Sequence, residues 1–321
     1  MLRRAIQSCL DQTVPCEIVV VDDGSEDGTP GVVQEIPGVK YIRHELSLGQ
    51  SAAENRGIRE ASCEWIKPLD DDDRLLPDCL EKMTAAIEKA QAKGFHPVIV
   101  SGRAANVDEA GRELSRTRSR APVPSIIQSR DQLQLMMFDH SPIGTPVQVG
   151  YQREAALRQG GWNERRPFTH AHGGEIETWI KLAAQGDCLF LPWIIAQRTI
   201  WPGNTERGIS AEERYLSSIY LKELIAVELG RKVPGRVKGF LALHWALIAA
   251  RNGTYDQAVR LGLRSLLQPL SVFCLFRKGA MNKARQFAVP LETAPAIGEE
   301  DSKVLGHLFP AAADVGAPPS A

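Results

Sequence analysis

Trp65-Ile66-Lys67-Pro68-Leu69-Asp70-Asp71-Asp72-Asp73 is an apolar run that ends in four consecutive carboxylates. It has the length of a short strand, made less regular by its proline, and the quartet falls at the strand's C-terminal end. In open α/β sheets that end is where ligands bind. Four adjacent carboxylates repel one another unless water or a cation neutralises them. Hard divalent ions such as Mg²⁺ and Mn²⁺ prefer oxygen ligands and bind one or two carboxylates together with substrate phosphates. A solvated acidic turn ahead of the helix that opens near Pro77 has the same residues, because carboxylates favour helix N-termini. On the quartet alone both readings stand.

Outward from the quartet, helix and strand alternate. Leu2, Ile6, Cys9 and Leu10 have helical spacing, and Glu17-Ile18-Val19-Val20-Val21 is a β-branched run suited to a buried strand. A turn at Asp22-Asp23-Gly24-Ser25 follows, then a helix from Thr29 to Glu35, a strand from Val39 to Arg43 and a helix from Ser51 to Ser62. Leu80, Met83, Ile87 and Ala90 mark an amphipathic helix, Pro97 to Ser101 a strand, and Asn106 to Leu114 a hairpin. The basic, Pro/Ser-rich stretch Ser115 to Ser129 reads as a mobile loop. A helix near Asp131 to Phe138, a strand near Pro146 to Tyr151 and a helix from Gly174 to Gln185 come next. The alternation predicts an α/β domain with a mostly parallel sheet over 1–207. From 208 to 292 the pattern is helical: Glu212 to Leu229, Val237 to Arg251, Tyr255 to Leu267 and Ser271 to Phe287. The Ala/Pro/Gly-rich residues 293–321 are expected to be disordered.

Composition narrows the partners. The 321 residues carry 38 Lys+Arg against 39 Asp+Glu, a net charge of -1, which argues against a general nucleic-acid binder. The longest apolar stretches, such as Gly239 to Ala250 with its internal His244, are too short or interrupted to span a bilayer. No apolar segment follows Met1-Leu2-Arg3-Arg4 as a signal peptide would require. Six cysteines without CxxC spacing read as reduced thiols, so a cytoplasmic location is expected. Leu270-Ser271-Val272-Phe273-Cys274-Leu275-Phe276-Arg277-Lys278 joins an apolar run to basic residues. That pattern suits weak association with a membrane surface, and packing against the rest of the protein is the alternative.

Two further segments bear on chemistry. Asp22 and Asp23 follow an apolar strand, so their carboxylates belong at the same sheet edge as the quartet. Ser47-Leu48-Gly49-Gln50-Ser51-Ala52-Ala53-Glu54-Asn55-Arg56-Gly57-Ile58 places a glycine loop ahead of a helix N-terminus, where backbone can approach an anion or a ribose. Taken in order, Glu17 to Ser25, Gly49 to Gly57 and Leu69 to Asp73, with Ala5 to Thr13 before them, resemble the family 2 inverting glycosyltransferases of the GT-A fold. The resemblance covers roughly residues 1–205.

That resemblance implies an enzyme that moves a sugar from a nucleotide diphosphate, commonly UDP, to a hydroxyl acceptor with inversion, assisted by Mn²⁺ or Mg²⁺. Asp23 matches the carboxylate that binds the nucleotide base, with Gly49 and Asn55 on the same nucleotide side. Asp70-Asp71-Asp72 occupies the DxD positions: Asp72 as metal ligand, Asp70 or Asp71 toward the ribose and the metal's waters. Gly174-Glu175-Ile176-Glu177-Thr178-Trp179 is similar to the family's acidic helix start and implies Glu175 as the base, with Glu177 as fallback. Gly160-Gly161-Trp162-Asn163-Glu164 resembles the acceptor-side loop, where Trp162 presents its ring to a sugar or fills the core. A non-catalytic nucleotide- or partner-binding member of the same fold is the alternative.

Three positions depart from the family pattern. No strand precedes the first helix, Glu54 stands where Arg is frequent, and Trp201 stands where a metal-binding His is common; His170 and His172 are the nearest substitutes.

Overall fold

The protein is described by a computed structural model over residues 1–119, 121–138, 143–164, 174–202, 209–267 and 288–294. The predicted Ser271 to Phe287 helix, the 270–278 run, His170, His172 and the chain beyond Ala294 lie outside these residues.

The first layer is built by α1 (Leu2–Leu10), β1 (Ile18–Asp22), α2 (Thr29–Gln34), β2 (Val39–Arg43) and α3 (Gln50–Glu60). β1 and β2 pair in parallel, Ile18 opposite Val39 through Asp22 opposite Arg43. Among the described residues this two-stranded sheet has no hydrogen-bonded strand neighbour, so the other edge of β1 is unpaired. The remaining strands form one eight-stranded sheet: β3 (Trp65–Ile66), β4 (Arg74–Leu75), β5 (Pro97–Val107), β6 (Glu113–Arg116), β7 (Ser125–Ile127), β8 (Val149–Gln152), β9 (Asp187–Thr199) and β10 (Val289–Pro290). Its central pair, β5 and β9, is parallel, and the flanking pairings are antiparallel, so the sheet is mixed.

Helices α4 (Cys79–Gln91), α5 (Ser129–Phe138), α6 (Arg153–Arg158) and α7 (Gly174–Ala183) cover the sheet, and α8 (Ala211–Glu228), α9 (Gly235–Arg251) and α10 (Tyr255–Leu266) follow as a helical part. One core cluster gathers Ile99, Val149, Tyr151, Trp162, Trp179 and Ile180 between the sheet and α7. The Trp179 ring lies 5.7 Å from both Tyr151 and Trp162, edge-on to the latter. Such tilted aromatic contacts add to the burial term. A second cluster joins α4 to the other face through Cys79, Met83, Ile87, Val100 and Ile195.

Several expectations change. β3 stops at Ile66, because Pro68 has no amide hydrogen for a ladder. The stretch predicted as a mobile loop contains β7, whose three residues are buried and pair antiparallel with β9. Three residues are too few for periodicity to register against a Pro/Ser-rich background. The 13-residue β9 passes through Pro192 by bulging where its register with β5 shifts between Ser101 and Arg103. Gly102 permits this: a Cβ there would lie 2.5 Å from the Ile195 side chain. Val289–Pro290, expected within the helical region, add a strand to β7, and Ala294, expected in the tail, is buried.

Candidate active site

The carboxylate quartet is a tight turn between β3 and β4, closed by the Asp73 amide donating to the Asp70 carbonyl at 3.2 Å. The turn brings Asp70, Asp72 and Asp73 together, with one oxygen from each within 4.8 Å of the others. Asp71 is exposed and outside this trio. The converging set among the described residues is therefore Asp70, Asp72 and Asp73, so that of the alternatives Asp70 and Asp71 it is Asp70 that lies with Asp72. Neighbouring elements fix the turn. Ser8 Oγ on α1 accepts from the Leu75 amide at 3.1 Å, and Gln12 at the end of α1 bonds the Leu76 carbonyl and the Leu80 amide. From the far side, the Thr199 amide donates to Asp73 Oδ1 at 2.7 Å, Thr199 Oγ1 donates to the Asp72 carbonyl, and Trp201 Nε1 donates to Asp72 Oδ2 at 2.8 Å.

Negative charge is crowded here. Burial and then Asp72 raise Asp70 to about 6, against the opposing pull of Lys67 and Arg198. Asp73 is raised to about 7 by burial, with Asp72 and Asp70 adding to it and the Thr199 amide opposing. Glu54 on α3 reaches about 8, through loss of solvent and then repulsion from Asp70, with Lys67 again opposing. Lys67 donates to the carbonyls of Pro68 at 2.7 Å and Pro146 at 3.2 Å, and burial lowers its pKa. Glu54, at the position where the resemblance leads one to expect a cation, is thus held toward its neutral form, and Lys67 supplies a positive charge from the strand side. Three converging carboxylates, two of them raised by burial and then by neighbouring negative charge, fit a hard divalent cation, whose charge favours ionised ligands.

Asp23 works as a clamp. Its carboxylate meets His44 Nδ1 at 2.7 Å and accepts from Ser47 Oγ at 2.8 Å, the Leu48 amide at 3.0 and 3.1 Å, and the Gly49 amide at 2.8 Å. Burial acts to raise its pKa, but the donors from His44, Leu48, Ser47 and Gly49 outweigh it and hold the group at about 2. Gly24 admits the clamped loop: at φ +79°, a Cβ there would lie 2.8 Å from the Ser47 nitrogen. Gly49 caps α3 at φ 92° and ψ 164°. Asp22 is spent on the turn, accepting from the Ser25 amide at 2.8 Å and Tyr41 Oη at 2.5 Å.

Asp23→Ala leaves three neutral donors of this loop without their charged acceptor, and bonds to charged groups contribute about 1.5–3 kcal/mol. The expected result is a thermal midpoint several degrees lower by scanning calorimetry. An unchanged midpoint would show that the loop does not depend on the clamp. Because the folded pKa of about 2 lies below the usual 3.8, this stabilisation is complete above the ordinary value and is lost as pH falls through the folded one.

Asn55, expected on the nucleotide side, faces elsewhere. Its amide donates to the Trp162 carbonyl at 2.8 Å and to Glu164 at 2.6 Å, and its oxygen accepts from the Trp162 amide at 2.7 Å. Both N–H groups are thereby used in tying α3 to the turn at 160–164. Gly161 makes the approach possible: at φ +76° its Cβ would fall 2.1 Å from Asn55 Oδ1. Trp162 is 3% exposed, so its ring belongs to the core and not to a sugar-facing surface. Glu175 is half-buried in the first turn of α7. Glu177, 1% exposed, pairs with Lys181 at 2.8 Å and accepts from Asn163 at 3.0 Å.

An α/β fold with converging carboxylates after a strand and a clamped glycine loop ahead of a helix has the plan of the GT-A nucleotide-sugar transferases. The Glycosyl transferase family 2 model matches residues 1–158, and that part of the chain belongs to the family. Among curated relatives, the succinoglycan biosynthesis protein ExoO of Rhizobium meliloti is 46% identical over 94 residues, 28% of this chain and 26% of its own length. The GalNAc(5)-diNAcBac-PP-undecaprenol beta-1,3-glucosyltransferase of Campylobacter jejuni is 34% identical over 101 residues, 30% of this chain and 33% of its own length. The chain thus matches a quarter to a third of the length of these two relatives. The crystal structure of S. aureus TarS 1-349 in complex with UDP-GlcNAc has the same fold, with TM-score 0.57 and 18% identity over 89% of this chain and 86% of that one.

Proposed function

We propose that this protein transfers a sugar from a UDP-linked donor to a hydroxyl acceptor with inversion at the anomeric carbon. The observation that carries this reading is the convergence of Asp70, Asp72 and Asp73, together with the Asp23-clamped loop that leads into α3, whose Glu54 feels the charge of Asp70. Asp23 and Gly49 form the nucleotide side, Asp23 by fixing the 47–49 backbone on which the base and ribose rest. Asp70, Asp72 and Asp73 hold Mg²⁺ or Mn²⁺. When bound, such an ion supplies positive charge against the diphosphate as it leaves. Glu175 takes the proton of the acceptor hydroxyl while that oxygen attacks the anomeric carbon and the bond to the diphosphate oxygen breaks. Glu177, already paired with Lys181 and Asn163, holds the start of α7 in place.

The Campylobacter relative's name includes undecaprenol, which supports a lipid-linked acceptor. Among the described residues no helix is long and apolar enough to cross a membrane. A weaker contact has support in α10 and its cap: Tyr255, Val259, Leu263, Leu266 and Leu267 are each at least 60% exposed. They lie on one side of the helix, opposite the buried Leu261 and Ser265. Such a stripe suits the surface of a bilayer.

One experiment tests both parts. The full chain is incubated with UDP-sugars and Mg²⁺ or Mn²⁺, with and without anionic liposomes carrying a polyprenyl-diphosphate sugar. Divalent-dependent release of UDP is expected, with transfer to the lipid and flotation of the protein. Binding of UDP with neither transfer nor donor hydrolysis would establish the non-catalytic alternative, and failure to float would remove the membrane contact.

A further inference from the structure

The cation-binding carboxylates are held by residues almost 130 positions away in the chain. Thr199 and Trp201, at the end of β9, make three hydrogen bonds to the Asp72-Asp73 pair: amide to Asp73 Oδ1, hydroxyl to the Asp72 carbonyl, and indole Nε1 to Asp72 Oδ2. β9 is held on both sides, by β5 and β7, and by β4, in which Arg74 lies opposite Gln197. The hydrogen bonds therefore run from the interior of the large sheet to a short turn.

We infer that Trp201, with Thr199, is a positioning residue for the cation site: it fixes the Asp72 carboxylate through Oδ2 and so presents Oδ1 to the ion. The inference rests on the proposed cation site of Asp70, Asp72 and Asp73. It goes further by assigning a task to the residue found where the family frequently places a ligand. An indole nitrogen that carries hydrogen is a donor with no lone pair for a metal. Trp201 therefore acts on the ion through Asp72 and not as a ligand, and the three candidate ligands among the described residues all offer oxygen. Its indole also places an intrinsic fluorophore one hydrogen bond from a ligating carboxylate, so that a paramagnetic ion at the site lies within quenching range.

The test uses Mn²⁺ alone, without donor or turnover. Free Mn²⁺ is followed by electron paramagnetic resonance, and tryptophan emission is read in the same titration. The wild-type protein is expected to bind Mn²⁺ with loss of emission, and Mg²⁺ to reverse that loss by competition. Trp201→Phe is expected to weaken Mn²⁺ binding about tenfold, the lower end of what loss of an outer-shell partner costs, at an unchanged thermal midpoint. At saturating Mn²⁺ the variant is expected to show little of the wild-type quenching.

Equal Mn²⁺ affinity in wild type and Trp201→Phe, with binding still abolished by Asp72→Ala, would overturn the role of Trp201 and leave the cation site standing. Binding that survives Asp72→Ala, or no binding by the wild type, would overturn the cation site itself and this inference with it. Should Trp201→Phe fail to fold, the wild-type titration decides: no Mn²⁺-dependent change in emission overturns the inference. Thr199→Val, which keeps the amide to Asp73 and removes only the hydroxyl bond to Asp72, should then weaken Mn²⁺ binding by a smaller factor.

Discussion

Asp72→Ala should abolish divalent-dependent UDP binding, lowering affinity at least a hundredfold, or about 2.8 kcal/mol at 1.4 kcal/mol per tenfold. Asp72 is the member of the quartet whose charge acts on all the others: it raises Asp70, Asp71 and Asp73. Removing it takes away one of the three proposed ligands and the charge that raises its neighbours. The two effects separate in a thermal experiment. Without cation, the relief of repulsion and the loss of the Trp201 bond oppose each other, so the midpoint should move little. With Mg²⁺ or Mn²⁺ and UDP present, the wild type should gain stability by mass action, and the variant should not. Calorimetry with UDP in Mg²⁺ and again in EDTA gives the binding arm. Equal UDP affinity in wild type and variant would remove Asp72 from the nucleotide site.

The sequence shows where charge lies along the chain, but it does not show how a turn folds that charge. Four adjacent aspartates are visible at once, yet which of them converge depends on the Asp73-to-Asp70 hydrogen bond, and that bond turns Asp71 outward and Asp73 inward. β1 and β2 are legible because each is five residues long, rich in β-branched or aromatic side chains and bounded by turns. β7 is not, because three residues among prolines and serines carry no period. Asn55 looks like a ligand-binding amide at a helix start. Its partners at Trp162 and Glu164 lie more than a hundred residues downstream, where no local pattern connects them. The same distance hides Thr199, and although the resemblance puts Trp201 at a metal-side position, nothing around it announces the Asp72 carboxylate that it holds. Lys67 had a readable signal, an ammonium within an otherwise apolar run three places before the first aspartate, and its effect on Asp70 and Glu54 gives that position its meaning.

The second large effect concerns Glu175. Glu175→Gln keeps the size of the side chain and removes its ability to accept a proton, so UDP affinity should stay within a factor of about two while transfer falls about 10²–10⁴-fold, the usual contribution of a general base. The comparison with Glu177→Gln gives the result its force, because both residues sit in the first turn of α7 and both are favoured there by the helix dipole. Glu177 is buried against Lys181 and Asn163. Its neutralisation leaves the Lys181 ammonium without its carboxylate and should lower the thermal midpoint along with activity. Glu175, half-buried at the start of the helix, should lose turnover at an unchanged midpoint. A carboxylate that only favours a helix start would cost less than about 1 kcal/mol of stability and no turnover. Transfer in Glu175→Gln within tenfold of wild type would therefore assign Glu175 to the helix and move the base elsewhere.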